Sequence, residues 1–229
     1  MIQTQALLEA RSVAEQLFQH TRSGNFLKPG KTESELNQEL FEVAKAHFGI
    51  QRFWHKRIVR VGSNTIHPYR INPDVDLTLQ NEDIVYIDFG PVVGDMEADF
   101  GRTYVVGNNL EHLQLLDSLK QVWQQGKVFY DSHPDLTGRD LFTQIKNSAE
   151  ELGYTLADWH CGHRIGQFPH AKLIGDESQH YICPENSTPL TVLTNDGEKR
   201  FWILEVHLVS GDKRFGGFVE DLLLPEISI

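Results

Sequence analysis

The sequence IVYIDFGPVVGDMEADFGRTYVVG, residues 84–107, constrains the fold more than any other stretch of this chain. Residues 84–89 alternate with the period of a strand, and β-forming residues resume after a turn rich in glycine and acid, so the stretch predicts a β-hairpin. A turn near Val93-Gly94 would place Asp88 directly opposite Asp99 on the next strand. The hairpin therefore predicts two aspartates as cross-strand neighbours.

Two ionised carboxylates in that position would repel each other, because opposed Cβ atoms lie only about 4.5–5.5 Å apart. A multivalent cation would relieve the repulsion, and so would a proton shared between an acid and a base, as in glycosidases. The remaining alternative is a solvated hairpin with one aspartate turned outward. The hairpin alone leaves all three open.

Further ionisable residues occur in the second half of the chain. Glu205 interrupts the apolar run FWILEVHLV and Glu220 interrupts GFVEDLLLP, where a carboxylate is costly unless it is paired or bound to metal. His160, His163 and His170 cluster in HCGHRIGQFPH. The alternatives are a structural salt bridge for the glutamates and an incidental cluster for the histidines.

Taken together, these residues suit a pair of divalent metal ions. Carboxylates can bridge two cations, and an imidazole among them favours manganese, iron, cobalt or zinc over calcium. The candidate metal ligands are Asp88, Asp99, His163, Glu205 and Glu220.

The composition restricts the classes of partner. A formal net charge of -11 argues against nucleic acid and anionic membranes, since both would repel the protein. No apolar run reaches the about 20 residues that span a bilayer, and the first residues lack a signal-peptide pattern, so we expect a cytoplasmic protein. Cys161 and Cys183 are expected to be free thiols, with a nucleophilic Cys161 as the less favoured alternative. Whether the protein forms a homodimer is left open by the sequence.

Helical periodicity and turn residues predict the remaining elements. One helix should begin after Thr32 or Ser34 and end at Gly49, and RIVRVG should form a strand. Residues 172–200 predict a long loop, and two strands should close the chain around GDKR. The other predicted helices cover residues 5–20, 110–130 and 138–152. The 229 residues contain no linker, which favours one domain.

The order and spacing of these motifs resemble the pita-bread metallopeptidases, which include methionine aminopeptidase, Xaa-Pro dipeptidase, aminopeptidase P and creatinase. The resemblance rests on D-x-G at Asp88, DFGRT at Asp99, the spacing of His163 and His170, PGKTESEL, GSNTIHPY and the two late glutamates. It implies an α/β (α+β) fold of curved antiparallel sheets flanked by helices. Residues 1–229 would then be a single catalytic domain without the extra N-terminal domain that Xaa-Pro dipeptidases often carry.

The resemblance also implies roles for individual residues. Asp88 would bind one of two divalent metal ions, His163 and Glu205 the other, and Asp99 and Glu220 would bridge them. Glu205 would also accept the proton of the attacking water.

Two further histidines would act on the substrate in the way the resemblance implies. His67 and His170 correspond to the family histidines that hold the scissile carbonyl and stabilise the tetrahedral oxyanion.

Three departures from the family pattern concern the substrate. Arg164 replaces the usual glycine in GHRIG, Ala171 follows His170 in place of glutamate, and Val206-His207 replace PG. A buried guanidinium must meet an anion, so Arg164 either points to solvent or binds a small carboxylate-bearing substrate, with His207 narrowing the site.

The resulting expectation is a hydrolase of a short peptide, such as an Xaa-Pro dipeptide, or of a related small C–N substrate. The alternatives are a metal-dependent enzyme, oxidative if the metal is iron, that acts on a small amino-acid-derived metabolite, and a non-catalytic binding protein of the same fold.

Overall fold

The computed structural model describes residues 2–22, 26–170, 176–225, 227 and 229. The helices are α1 (Ile2–Arg22), α2 (Glu33–Phe48), α3 (Leu110–Ser132) and α4 (Gly138–Glu151). The strands are β1 (Ile58–Val61), β2 (Asp83–Phe89), β3 (Val92–Val93), β4 (Met96–Glu97), β5 (Phe100–Val106), β6 (Tyr154–Leu156), β7 (Gly162–Ile165), β8 (Phe201–Ser210) and β9 (Gly216–Leu222). Residues 171–175, and with them the departure at Ala171, lie outside the described residues. Within the described ranges, no helix is both long enough and apolar enough to cross a membrane.

The ends of α2 follow the predicted capping residues. Thr32 and Glu35 form a reciprocal capping box at the start of α2, and Gly49 ends the helix with a positive φ of 67°. Thr137 and Asp140 form the equivalent box at α4. These local signals lie within a few residues of one another in the chain, so the sequence predicts them directly.

Seven strands form one antiparallel sheet in the order β1-β2-β5-β9-β8-β6, and β7 pairs with β8 beside β6. Strands β3 and β4 form a separate two-stranded tip on the central hairpin. Helix α3 packs on β8 and β9, and α1 packs on the hairpin. The predicted α+β architecture, an antiparallel sheet flanked by helices, is confirmed.

The register of the central hairpin differs from the prediction. Asp88 pairs with Gly101 rather than Asp99, and Asp99 follows β4 outside the strand ladder. The turn is centred on Gly94-Asp95, one residue later than predicted, where Gly94 takes a positive φ of 60°. A glycine at the first central position is what a two-residue II′ hairpin turn requires. The predicted direct opposition of the two aspartates is therefore wrong.

The correct register instead aligns residues across four neighbouring strands. Asp88 on β2 pairs with Gly101 on β5, Gly101 pairs with Glu220 on β9, and Glu220 pairs with Glu205 on β8. Directly opposed residues project from the same face of an antiparallel sheet. A Cβ at Gly101 would approach the Phe218 ring to 2.4 Å, so a larger residue does not fit at this position. The glycine leaves space between Asp88 and Glu220 in the row. Three carboxylates thus share one face.

The alternate residues of the same strands point to the helices. Leu204 lies under α3, where the indole nitrogen of Trp123 donates to its carbonyl at 3.0 Å. Asp221, next to Glu220, is fully buried on this side and accepts bonds from Arg11 of α1 and from Arg102. The sheet therefore has an apolar, helix-covered side and a side that carries acids.

Candidate metal centre

The acidic side of the sheet forms the floor of a cavity of about 620 Å³. Cavities of 300–1,000 Å³ hold ligands of small-molecule size. Aromatic side chains form much of the wall: Trp54, Tyr69, Trp159, Tyr181 and Phe218. The cavity is thus a partly open cleft with aromatic side chains in its wall and ionisable groups at its base.

All five predicted ligands converge at that base. His163 Nε2 lies 3.1 Å from Asp99 Oδ2 and 3.2 Å from Glu205 Oε1. Ligand atoms of Asp99, His163 and Glu220 all lie within 4.8 Å of one another, and Asp88 belongs to a second such group with Asp99. The structure brings these residues together, and their role as ligands is a proposal developed below.

Four carboxyl groups lie together in this cluster, and their negative charges would repel one another. Burial raises the pKa of Asp88 to about 7 and that of Glu205 to about 8. Burial, with Asp99 and Asp88 nearby, raises the pKa of Glu220 well above its ordinary value. For Asp99, burial acts in the same direction, but His55 and His163 outweigh it and lower the pKa. Repulsion of this kind is what divalent cations relieve.

Two carboxylate oxygens supply a direct test of whether a metal fits. Asp88 Oδ1 and Glu220 Oε1 are buried, and among the described residues neither has a hydrogen-bond donor. His55 Nε2 comes within 3.5 Å of Asp88 Oδ1 without forming a hydrogen bond. Buried carboxylate oxygens without donors are open ligand positions, so the residues fit a metal centre.

The ring of His163 is oriented as metal-binding imidazoles are. Its Nδ1 lies 2.9 Å from the carbonyl of Arg164, so Nδ1–H donates there and Nε2 faces the acids, where it can bind a metal ion once it is deprotonated. Burial opposes a charge on the ring, but Asp99 and Glu205 outweigh it and raise the pKa to about 9.

His55 also lies at this centre, although no motif or spacing in the sequence selected it. Its Nε2 lies 3.0 Å from Asp99 Oδ1, and its side chain is 9% exposed. His55 lies shortly before β1, and Ile58 of β1 pairs with Asp88 of β2. This pairing brings the segment that contains His55 next to the acids. That pairing, between segments distant in sequence, is the signal that could have identified His55.

Glu97 is the second unpredicted residue of the site. It is 2% exposed, and its Oε2 lies 2.7 Å from His170 Nδ1. Its carboxylate also accepts the backbone N–H groups of His170 and Gly166. Glu97 therefore fixes the orientation of the His170 ring at the edge of the cavity.

The remaining predicted substrate residues have different environments. Arg164 borders the cavity and is 6% exposed, which excludes the alternative that it points to solvent. His207 lies in the wall, and its Nε2 bonds the carbonyl of Thr65 at 2.7 Å. His67 accepts a bond from Tyr86 through its backbone carbonyl, and the cavity is lined by its neighbour Pro68. The substrate roles of all three stay predictions.

The cysteines are free thiols, as expected. Cys161 is buried, and burial together with Glu205 raises the pKa of its thiol well above the ordinary value. Because the thiolate is the nucleophilic form, this environment argues against a nucleophilic Cys161.

Metal binding is expected to release protons. In the metal-free protein at pH 7, Glu205 and His163 carry protons because their pKa values are raised to about 8 and about 9, and metal ligands must be deprotonated. Zinc should therefore displace about two protons per chain from these two residues at pH 7, and fewer as the pH rises above 9. Calorimetric zinc titrations in two buffers of different ionisation enthalpy measure this number. Binding without proton release at pH 7 would contradict the proposed ligand set.

Comparisons with known proteins identify the family to which this chain belongs. The profile of metallopeptidase family M24 matches residues 5–196. A search among curated proteins finds no match. Solved structures give extensive matches, among them prolidase from Thermococcus sibiricus, with a TM-score of 0.75 and 20% identity, covering 99% of this chain and 59% of that one.

Two other solved structures show the range of the fold. X-Pro aminopeptidase from Thermotoga maritima matches with a TM-score of 0.75 and 20% identity, over 99% of this chain and 62% of that one. Methionine aminopeptidase from Rickettsia prowazekii matches with a TM-score of 0.69 and 19% identity, over 94% and 91%. The chain thus spans about 60% of the length of the prolidase and the X-Pro aminopeptidase. The family profile and the shared fold together show that this chain belongs to metallopeptidase family M24 and has its pita-bread fold.

Proposed function

We propose that this protein is a metal-dependent peptidase that cleaves short, carboxylate-bearing peptides such as Xaa-Pro dipeptides. The observation that carries the proposal is the row of Asp88, Glu220 and Glu205 on one sheet face, completed by Asp99 and His163 at the base of a cavity. Membership of a metallopeptidase family supports the same function.

Two divalent ions would share this centre. Asp99 belongs to both groups of potential ligands, with Asp88 on one side and with His163 and Glu220 on the other. Glu205 lies beside His163 and would complete the second group. When bound, such ions polarise a carbonyl and acidify water.

The protein groups supply proton transfer and orientation. Glu205 is buried next to the cavity beside His163, where its carboxylate would accept a proton from water and pass it to the leaving amine. His170, held by Glu97, would donate from its other ring nitrogen to the oxyanion that forms during cleavage. The aromatic wall would limit the access of bulk water.

Two arginines are candidates for binding the substrate carboxylate. Arg164 is buried beside the cavity. Burial lowers the pKa of its guanidinium, the charge of Arg200 lowers it further, and the charge of Glu97 raises it in part. Arg70 lies at the rim with a 61% exposed side chain, paired with Asp158 at 2.7 Å. Arg164 is the stronger candidate because a desolvated guanidinium binds a carboxylate more tightly than an exposed one.

A turnover panel tests both the reaction and the choice of substrate. Purified protein loaded with manganese, iron, cobalt or zinc is given Xaa-Pro dipeptides, longer Xaa-Pro peptides and amino-acid derivatives. We expect cleavage of dipeptides in preference to long peptides. Arg164→Gln should lower kcat/KM for dipeptides about 10- to 100-fold, as loss of a hydrogen bond to a charged group does. Arg70→Gln is the matched control and should have a smaller effect.

The products separate the alternatives. Equal or better cleavage of long peptides, unchanged in Arg164→Gln, would refute the substrate proposal. Oxidised products formed only with iron would indicate a redox enzyme. Protein that binds metal but turns over none of the panel would point to a binding protein of this fold.

A further inference from the structure

Asp99 lies between two histidines that approach it from opposite sides. His55 Nε2 is 3.0 Å from Oδ1, and His163 Nε2 is 3.1 Å from Oδ2. Each histidine therefore faces its own oxygen of one carboxylate. Asp88 lies on the His55 side, and Glu205 lies on the His163 side.

The two rings are also held in the same way. His55 Nδ1 lies 2.8 Å from the carbonyl of Lys56, just as His163 Nδ1 lies 2.9 Å from that of Arg164. In both cases Nδ1–H of the ring donates to the carbonyl of the next residue, so Nε2 is the nitrogen that faces the carboxylates. A lone pair aimed at carboxylate oxygens is unfavourable unless a cation or a proton lies between them.

The position of His55 is built into the fold. A Cβ at Gly90 would come within 2.2 Å of His55 Nε2 and 2.5 Å of the Trp54 indole nitrogen, so only glycine at this position admits both rings. Trp54 is anchored by a bond from its indole nitrogen to the carbonyl of Ala98 at 3.0 Å. The ring of His55 is thus placed against the acids by packing on the D-x-G segment.

We propose that His55 is a sixth protein ligand of the metal centre, binding the first ion through Nε2 together with Asp88 and Asp99. The inference rests on the proposed two-metal centre and extends it, because the ligands carried over from the family pattern give that ion carboxylates alone. Ligand atoms of His55, Asp88 and Asp99 lie within 4.8 Å of one another, as a shared ion requires. Each ion would then have one imidazole.

An additional nitrogen ligand changes which metals the first site prefers. Carboxylates alone suit magnesium and manganese, whereas imidazole favours iron, cobalt and zinc. The first site should therefore prefer zinc over manganese by a larger factor in the wild type than in His55→Ala or His55→Gln. His55→Ala and His55→Gln should weaken zinc binding at the first site by more than the about 10- to 100-fold that loss of a residue behind a ligand causes.

The experiment follows metal binding and does not require turnover. Metal-free wild type, His55→Ala, His55→Gln and His163→Ala are titrated with zinc against a chelator, and the bound metal is counted. Cobalt-loaded samples are examined by proton NMR, in which each imidazole bound through Nε2 gives one strongly shifted, exchangeable Nδ1–H resonance. Wild type should show one such resonance for His55 and one for His163, each lost in the corresponding variant.

His133→Ala is the matched control. His133 is exposed at the end of α3, and its Nδ1 bonds the carbonyl of Phe129 at 2.8 Å, so its ring is held as the other two are but without facing acids. This variant should keep both resonances and both zinc affinities. Circular dichroism and melting of the metal-free proteins confirm that each variant is folded.

The outcomes separate the inference from the function on which it rests. Wild type that binds two ions with one shifted resonance, unchanged in both His55 variants, would overturn the inference and keep the two-metal centre. Wild type that binds one ion while His55→Ala binds two would mean that an imidazolium occupies the first site, which also overturns it. Wild type that binds no metal would refute the proposed function itself.

Discussion

Replacing Asp99 with alanine is expected to remove most of both proposed metal ions and, with them, the proposed peptidase activity. Asp99 is 2% exposed, and each of its oxygens faces one of the two proposed sites. No other described carboxylate belongs to both potential ligand groups. Removal of the shared ligand therefore weakens the binding of both ions. The metal-free Asp99→Ala protein still contains the other acids, which repel one another.

Elemental analysis after dialysis measures this effect directly. Asp95→Ala is the matched control, because Asp95 lies in the same hairpin but is exposed at the turn, and it should keep both ions. Glu220→Ala, which removes the other proposed bridge, should also lose most of the metal. Unchanged metal content in both Asp99→Ala and Glu220→Ala would show that the ligand assignment is wrong.

Replacing His170 with alanine should lower turnover by about 10²–10³-fold while metal content and fold stay as in the wild type. The ring lies at the cavity and bonds Glu97, so its proposed partner is the substrate oxyanion and not a metal. Loss of such a donor acts on the transition state. Rate assays on metal-loaded protein, with elemental analysis of the same samples, separate this effect from metal loss.

Two comparison variants sharpen this test. His180→Ala removes another cavity histidine, whose ring centroid is 6.4 Å from that of His170, and should change turnover far less. Glu97→Gln keeps the size of the side chain but weakens its hold on the His170 ring, so turnover should fall by less than in His170→Ala. If His170→Ala turns over at the wild-type rate, His170 is a structural residue of the loop.

The helices and the composition of the site were accessible from the sequence because their signals are local. The capping box at Thr32 and the left-handed Gly49 each depend on a few neighbouring residues. Glu205 and Glu220 were identifiable because each breaks an apolar strand that had to be buried. Such patterns need no knowledge of the tertiary structure.

The parts that could not be predicted depend on how distant segments meet. A turn displaced by one residue changed the partner of Asp88 from Asp99 to Gly101, and only the glycine conformation at the turn fixes that choice. His55 and Glu97 lack a periodic or spacing signal in their own segments. They enter the site through the pairing of β1 with β2 and through the contact of β4 with the segment around His170.

The alignment of Asp88, Glu220 and Glu205 across neighbouring strands has a consequence for the lifetime of the protein. In the proposed metal-loaded state, each ion joins residues that are far apart in the chain, as a disulfide does, and closes loops of more than about 100 residues. Since an ion that binds only the folded chain adds RT ln(1 + [M]/Kd) to its stability, an ion at 100 times its Kd adds about 2.7 kcal/mol. Metal supply would thereby set resistance to proteolysis, and a metal-starved cell would lose the protein itself as well as its activity.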